Sequence, residues 1–355
     1  MLYHGVDRYF IVHIKLKILN LSDIEKYDSQ KMYKVYDKWP EIARKTFESE
    51  QKIIDFQGRG HFVVAGMGGS GAIGDIFSAI LSKTKIHVNV VKGYLLPTTV
   101  DSKTLVIVVS VSGNTAETLS VLDLAYKIKS KIIVFSSGGK MQEYCTKNKI
   151  EHRLIPKYHS PRASFASYLY SMLKILYVPL GIKKQDIVES LLELEKISKK
   201  INSSNLTKNN PSLNLAKCIT GIPLIYYPLG LQSIAIRFKN VLQENSKIHV
   251  IAEDVVEACH NGIVSWERES DVIPILIQGK DDYIKTKERW EIIKDYFYQN
   301  KIDYWEIVSI EGSILSKLIN LIYILDYCSI YKAILLKTNP TPVKSIVFIK
   351  EKTQC

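Results

Sequence analysis

The chain has 355 residues, 46% of them hydrophobic, and a formal net charge of +12 from 48 Lys and Arg against 36 Asp and Glu. That is enough apolar material for a substantial core and for two domains. The basic residues are scattered, with no long basic block and no nucleic-acid-binding motif, so no nucleic-acid partner is expected and an anionic small substrate or plain compositional bias is favoured.

At the N-terminus, Tyr9–Leu16 is apolar but short, is interrupted by His13 and Lys15, and lacks a small-residue cleavage site. It is read as an N-terminal extension over residues 1–22 rather than a signal peptide. Residues 23–57 read as helices, with Pro40 suited to a first turn. Strands then appear near 61–66, 86–91, 104–109 and 131–136, and helices near 71–82, 115–128 and 140–147. This βαβα pattern predicts a parallel sheet with helices on both faces. Residues 162–200 read as helical, and the polar stretch at 201–212 as a linker. A second strand pattern opens at Ile222–Tyr227, followed by a loop at Pro228–Gly230 and a long helix from Gln232. Further strands are predicted near 248–252, 272–278 and 304–309, with a helix near 314–336. The fold class is therefore α/β, with two similar halves, each a mainly parallel sheet between helices in three αβα layers. The halves are placed at 23–200 and 213–335, with a tail helix over 336–355. No run of about 18 or more apolar residues exists, so no membrane-spanning helix is expected. Cys145, Cys218, Cys259, Cys328 and Cys355 fit no zinc spacing, which predicts free thiols in a reducing cytoplasm and no metal site.

Two loops concentrate the chemistry of the first half. Gly66-Met67-Gly68-Gly69-Ser70-Gly71 and Ser110-Val111-Ser112-Gly113-Asn114-Thr115 each follow an apolar strand and open a helix. Small residues let backbone N–H groups approach an anion, hydroxyls add donors, and the helix dipole points its positive end at the same place. Open α/β sheets bind ligands at such turns, so one phosphate between neighbouring strand ends is expected. The first loop also fits G-x-G-x-x-G. A dinucleotide site would place an acidic residue after the next strand to hold a ribose, and Lys92 stands there instead.

Further along, Pro161-Arg162-Ala163-Ser164, Leu242-Gln243-Glu244-Asn245-Ser246-Lys247, Cys259-His260-Asn261-Gly262-Ile263 and the tail Asn339-Pro340-Thr341-Pro342-Val343 stand out. With the two loops, and in this order over roughly residues 25–355, the chain resembles the bifunctional phosphoglucose/phosphomannose isomerases of the sugar isomerase (SIS) domain superfamily. The resemblance implies two SIS-type subdomains, a homodimer, no cofactor and no metal, and interconversion of glucose 6-phosphate, fructose 6-phosphate and mannose 6-phosphate. It implies that Gly69, Ser70, Ser110, Ser112 and Thr115 hold the phosphate. Glu244 matches the family's base, His260 the ring-opening group, delivered from the second subunit, and Arg162 the cation beside the enediolate. Lys350 fits the basic residue of the tail helix, with Lys344 as competitor. These residue types suit the chemistry: a carboxylate base over a carbon acid and a cation where charge develops.

Two positions depart from the family pattern. Gly262 stands where an acidic residue usually follows His-Asn, and Val111 where Tyr is common. Asp254, Glu257 and Glu267 are nearby carboxylates that compete with Glu244 for the role of base. The rival readings are an amino-sugar phosphate isomerase or deaminase and a non-catalytic sugar-phosphate sensor. No glutaminase domain with a nucleophilic Cys and no clear helix-turn-helix accompanies them here.

Overall fold

The structure is a computed structural model that describes residues 2–4, 19–54, 56 and 60–353. Most of the N-terminal extension expected over 1–22 therefore lies outside the described residues. The strands are β1 (Leu2–His4), β2 (His61–Ala65), β3 (His87–Val91), β4 (Leu105–Ser110), β5 (Lys131–Ser136), β6 (Glu151–Leu154), β7 (Ile222–Tyr227), β8 (Ile251–Asp254), β9 (Val272–Gln278) and β10 (Trp305–Val308). The helices are α1 (Leu21–Tyr27), α2 (Met32–Asp37), α3 (Trp39–Glu48), α4 (Gly68–Leu81), α5 (Ala116–Ile128), α6 (Gly139–Asn148), α7 (Phe165–Leu176), α8 (Lys184–Ile201), α9 (Pro211–Cys218), α10 (Gln232–Val241), α11 (Val255–Ala258), α12 (Ile284–Gln299), α13 (Ile314–Leu335) and α14 (Lys344–Thr353).

The chain divides into two compact units: Lys38–Lys196 with Gly312–Asn320, and Met1–Asp37 with Ile197–Glu311 and Leu321–Cys355. The first unit holds a five-stranded sheet in the order β3-β2-β4-β5-β6, parallel throughout. Its centre, β4, is buried along its whole length, as its unbroken apolar run requires of a strand covered on both faces. Val63, Val106, Val108 and Val134 form this core with Val121, Leu122 and Ala125 of α5. Strand β6, on the edge, is absent from the sequence reading because Glu151-His152-Arg153-Leu154 carries almost no apolar signal.

The second unit repeats the order with β8-β7-β9-β10, again parallel, and ends on β1, which pairs antiparallel with β10. Tyr226, Leu276, Trp266, Trp290 and Phe297 form its core. In both sheets the chain steps to one side of its first strand and then returns to the other. The order therefore reverses between β2 and β4 and between β7 and β9, and such reversals open the crevices where α/β sheets take ligands.

Two expectations change. The helical stretch at 162–200 is two helices, α7 and α8, separated at 177–183. And α13 is long and apolar enough to cross a membrane by length and composition, although interrupted by Lys317, Asn320 and Asp326. Of an apolar window of this helix, 94% is buried inside the protein, the position of a core helix.

Candidate active site

In the first unit the two loops follow β2 and β4, which pair directly, so they adjoin at the point where strand order reverses. The contact is explicit: the Val111 N–H donates to Ser70 Oγ at 3.3 Å. Within the second loop Ser110 Oγ lies 3.1 Å and Ser112 Oγ 3.4 Å from Thr115 Oγ1. Three hydroxyls thus converge on one end of α5. Neither α4 nor α5 has a side-chain cap, so their first N–H groups are not satisfied by a capping residue. Ser70 and Ser110 are buried. Val111, the departure in this loop, is buried at its side chain and uses its backbone on both sides, since its carbonyl accepts from Ser137 Oγ at 2.5 Å.

Glycine is required where these turns close. A Cβ on Gly71 would lie 2.6 Å from the Gly66 carbonyl oxygen. Gly113 has φ of 67°, and a Cβ there would lie 1.8 Å from the Gly138 carbonyl oxygen. That second contact reveals a third loop, Ser136-Ser137-Gly138-Gly139 after β5, which buttresses the second. Met141 N–H donates to the Gly113 carbonyl at 2.9 Å, and Lys140 N–H to Asn114 Oδ1 at 3.0 Å. The sequence reading omits this loop, although its signal, small residues at a strand end, matches the other two.

Arg162 belongs to the same neighbourhood. A Cβ on Gly69 would stand 3.4 Å from the Arg162 backbone, and Arg162 is buried at 3% exposure. The turn at 161–164 ahead of α7 is fixed by Ser164 Oγ, which donates to the Ser160 carbonyl at 2.9 Å. Trp39 Nε1 donates to the Ala163 carbonyl at 2.9 Å. The structure therefore brings Gly69, Ser70, Ser110, Ser112, Thr115 and Arg162 together in one unit. Lys92, which stood where a dinucleotide site would need an acid, pairs with Asp75 at 2.6 Å.

The second unit carries Glu244, His260 and Lys350. Glu244 lies on a π-turn, Leu242–Ser246, that continues α10 and is half-buried. Such wide turns in helices are frequent at functional sites. Its carbonyl accepts from Lys247 Nζ, which also reaches the Pro340 carbonyl at 3.3 Å. His260 follows α11 and is exposed, and among the described residues its ring has no hydrogen-bond partner. Asn261 is fixed by donating to Glu257 Oε1 at 2.9 Å, and Trp266 anchors the following turn by donating to Tyr226 OH at 2.8 Å. Lys344 and Lys350 are both exposed on α14. Six residues apart on a helix, they point about 120° from each other.

Gly262 finds a physical reason. A Cβ there would lie 2.5 Å from both carboxylate oxygens of Glu253, so a carboxylate from β8 occupies the space of a side chain at 262. Burial, with a smaller contribution from Glu257, holds the Glu253 carboxyl above its ordinary value. Of the carboxylates that compete with Glu244, Asp254 caps α11 through the Val256 and Glu257 N–H groups, and Glu257 is engaged by Asn261.

A repeated parallel α/β unit, the first copy with hydroxyl-rich loops at its strand-order reversal, is the architecture of a double-SIS-domain protein. The SIS domain family model matches residues 55–176, and that of the bacterial phospho-glucose isomerase C-terminal SIS domain matches residues 208–353. A bifunctional phosphoglucose/phosphomannose isomerase from Caldicellulosiruptor bescii is 33% identical over 327 residues, covering 88% of this chain and 96% of that protein. The chain belongs to this family and is an isomerase. A D-glucosamine-6-phosphate 4-epimerase from Sulfolobus acidocaldarius is also similar, 31% identical over 252 residues, with 69% of this chain and 77% of that protein covered. A solved glucose-6-phosphate isomerase from Chlamydia trachomatis shares the fold at a TM-score of 0.67 and 14% identity, covering 92% of this chain and 72% of that one.

Proposed function

We propose that this enzyme interconverts glucose 6-phosphate, fructose 6-phosphate and mannose 6-phosphate. The observation that carries the reading is the meeting of the two hydroxyl-bearing loops through Ser70 and Val111. It gives one dianionic group several donors and two helix N-termini. In this reading Gly69, Ser70, Ser110, Ser112 and Thr115 hold the 6-phosphate. His260 protonates the ring oxygen as the ring opens. Glu244 takes the proton from C2 of the aldose, giving a cis-enediol, and returns it to C1 to form the ketose, while the hydroxyl proton moves from O2 to the carbonyl oxygen at C1. Arg162 faces the negative charge that develops on the enediolate. Lys350 assists from α14, with Lys344 as its competitor. Rotation about C2–C3 presents the other face to the same base and gives mannose 6-phosphate.

The active form is a cytoplasmic homodimer in which the partner subunit supplies the histidine, with no cofactor, metal, nucleic acid or membrane involved. Two observations support the dimer. His260 is exposed without a local anchor, and α14 buries none of its residues although it carries Ile346, Val347, Phe348 and Ile349.

The test is to incubate the protein with fructose 6-phosphate and resolve the products. Glucose 6-phosphate and mannose 6-phosphate together are expected. The similarity to a glucosamine-6-phosphate epimerase makes glucosamine 6-phosphate the necessary parallel substrate. Turnover of the amino sugar alone would overturn the reading.

A further inference from the structure

Glu244 lies in the chain between two anchors to a single turn of α13, one within α10 and one just after Glu244 itself. Before it in the chain, Arg237 of α10 forms a two-point ion pair with Asp326, Nε to Oδ1 at 3.0 Å and a terminal nitrogen to Oδ2 at 2.6 Å. Tyr36 OH donates to the same Oδ2 at 3.2 Å. After it, Asn245 Nδ2 donates to Ser329 Oγ at 2.8 Å, and Ser246 Oγ donates to the Ser329 carbonyl at 2.7 Å. Ser329 Oγ in turn donates to the Asp326 carbonyl at 2.6 Å. Asp326 and Ser329 are three residues apart on α13 and therefore share a face. Arg237, Asn245, Ser246, Asp326 and Ser329 are all buried, while Glu244 between them is half-buried.

A buried ion pair is a poor source of net stability, because desolvating both charges offsets their attraction. What a two-point Arg–carboxylate pair does supply is a fixed geometry. Here it fixes the last turns of α10, and the Ser329 bonds fix the two residues that follow Glu244. The π-turn is a single-turn departure from the α-helical ladder, and these bonds tie it to a neighbouring helix. The Glu244 charge also reaches Asp326, where it opposes ionisation behind the larger effect of burial, while Arg237 favours it.

We propose that Arg237, Asp326 and Ser329 are positioning residues that set the place of the Glu244 carboxylate by tying α10 ahead of its π-turn, and the last residues of the π-turn itself, to one turn of α13. The proposal rests on the reading of Glu244 as the base. It is tested on the full chain with Ser329→Ala, Arg237→Lys and Glu244→Gln, and with Ser329→Ala in the Glu244→Gln background. Ser329→Ala keeps the ion pair and is the variant least prone to misfold, and Ser329→Thr restores the hydroxyl. Misplacing a reacting group by about 1 Å costs on the order of a hundredfold in rate. Ser329→Ala and Arg237→Lys are accordingly expected to lower kcat for fructose 6-phosphate by about ten- to a hundredfold, with KM within about twofold. Ser329→Thr should recover most of the loss, and Ser329→Ala should leave the residual rate of Glu244→Gln unchanged. An unchanged kcat in the folded Ser329→Ala and Arg237→Lys variants overturns the clamp, as does an equal loss with and without Glu244. Full turnover in Glu244→Gln removes the base assignment itself and the clamp with it.

Discussion

The two units share a strand order and differ in how they present chemistry. In the first, the reversal between β2 and β4 is lined by Gly, Ser and Thr, and the backbone does the placing. The turns close so tightly that a single Cβ, at Gly71 within the first loop or at Gly113 against the third, would collide with a carbonyl oxygen. In the second, the corresponding reversal between β7 and β9 has no such loops. Its candidate groups stand on a π-turn, a short turn after α11 and an exposed helix, and side chains hold the first of these, the turn that carries Glu244. Binding a phosphate needs several N–H and O–H donors at fixed spacing, which a turn of small residues supplies at once. Moving a proton needs one carboxylate in one place, which a buried polar network can define.

The comparison can be broken first at Glu244. On the proposed reading, replacing it by Gln removes the general base, and such a base contributes about 10²- to 10⁴-fold. Steady-state kinetics should show a loss of that size in kcat with little change in binding of the sugar phosphate. Near-normal turnover would move the chemistry elsewhere.

The next effect belongs to the cradle. Gly113→Ala puts a Cβ into left-handed backbone and 1.8 Å from the Gly138 carbonyl oxygen. The left-handed conformation alone costs about 1–2 kcal/mol, and the clash forces the two loops apart in addition. Thermal unfolding should begin several degrees lower, and phosphate-sugar affinity should fall together with it. An unaltered Tm would mean that the third loop does not brace the second.

Ser112→Ala sharpens the comparison further. A hydrogen bond to a charged group is worth roughly 1.5–3 kcal/mol. On the proposed reading Ser112 holds the 6-phosphate, a group bound alike in ground and transition states, so the loss should appear as a KM raised about tenfold or more with kcat retained. A fall in kcat at constant KM would place Ser112 at the reacting carbons instead.

The smallest effect concerns Glu253. Its carboxyl is held above the ordinary value of 4.5 by burial and Glu257. The folded protein therefore binds this proton more tightly than the unfolded chain, so the contribution is present below about pH 4.5 and fades as pH rises through the raised value. Glu253→Gln should gain a little stability relative to the parent as pH is raised from 4 to 7 in thermal melts. The group is partly exposed, so the shift should be small. A constant Tm difference across that range would remove Glu253 as a titrating neighbour of the His260 turn.

Much of this was legible in the chain. Strand–loop–helix alternation and the two hydroxyl-rich loops follow from local composition, because an anion-accepting turn is built from consecutive small residues at a strand end. The adjacency of Arg162 to Gly69 was not legible, since Arg162 lies far beyond both loops in the chain. Strand β6 was not legible, since its pairing with β5 rather than any apolar pattern makes it a strand. Nor was the role of Gly262, whose missing side chain makes room for a carboxylate from β8.

The sequence by itself determined the α/β class, the repeat and which residues carry donors, acceptors and charge, because these depend on neighbours a few positions apart. Only the tertiary structure decided that Ser70 meets Val111, that α13 is a core helix despite its membrane-like composition, and that Glu244 sits between two anchors to α13. Arg237 and Asp326 are 89 positions apart in the chain. The ion pair between them joins α10 to α13, and no local pattern encodes a contact between residues so far apart.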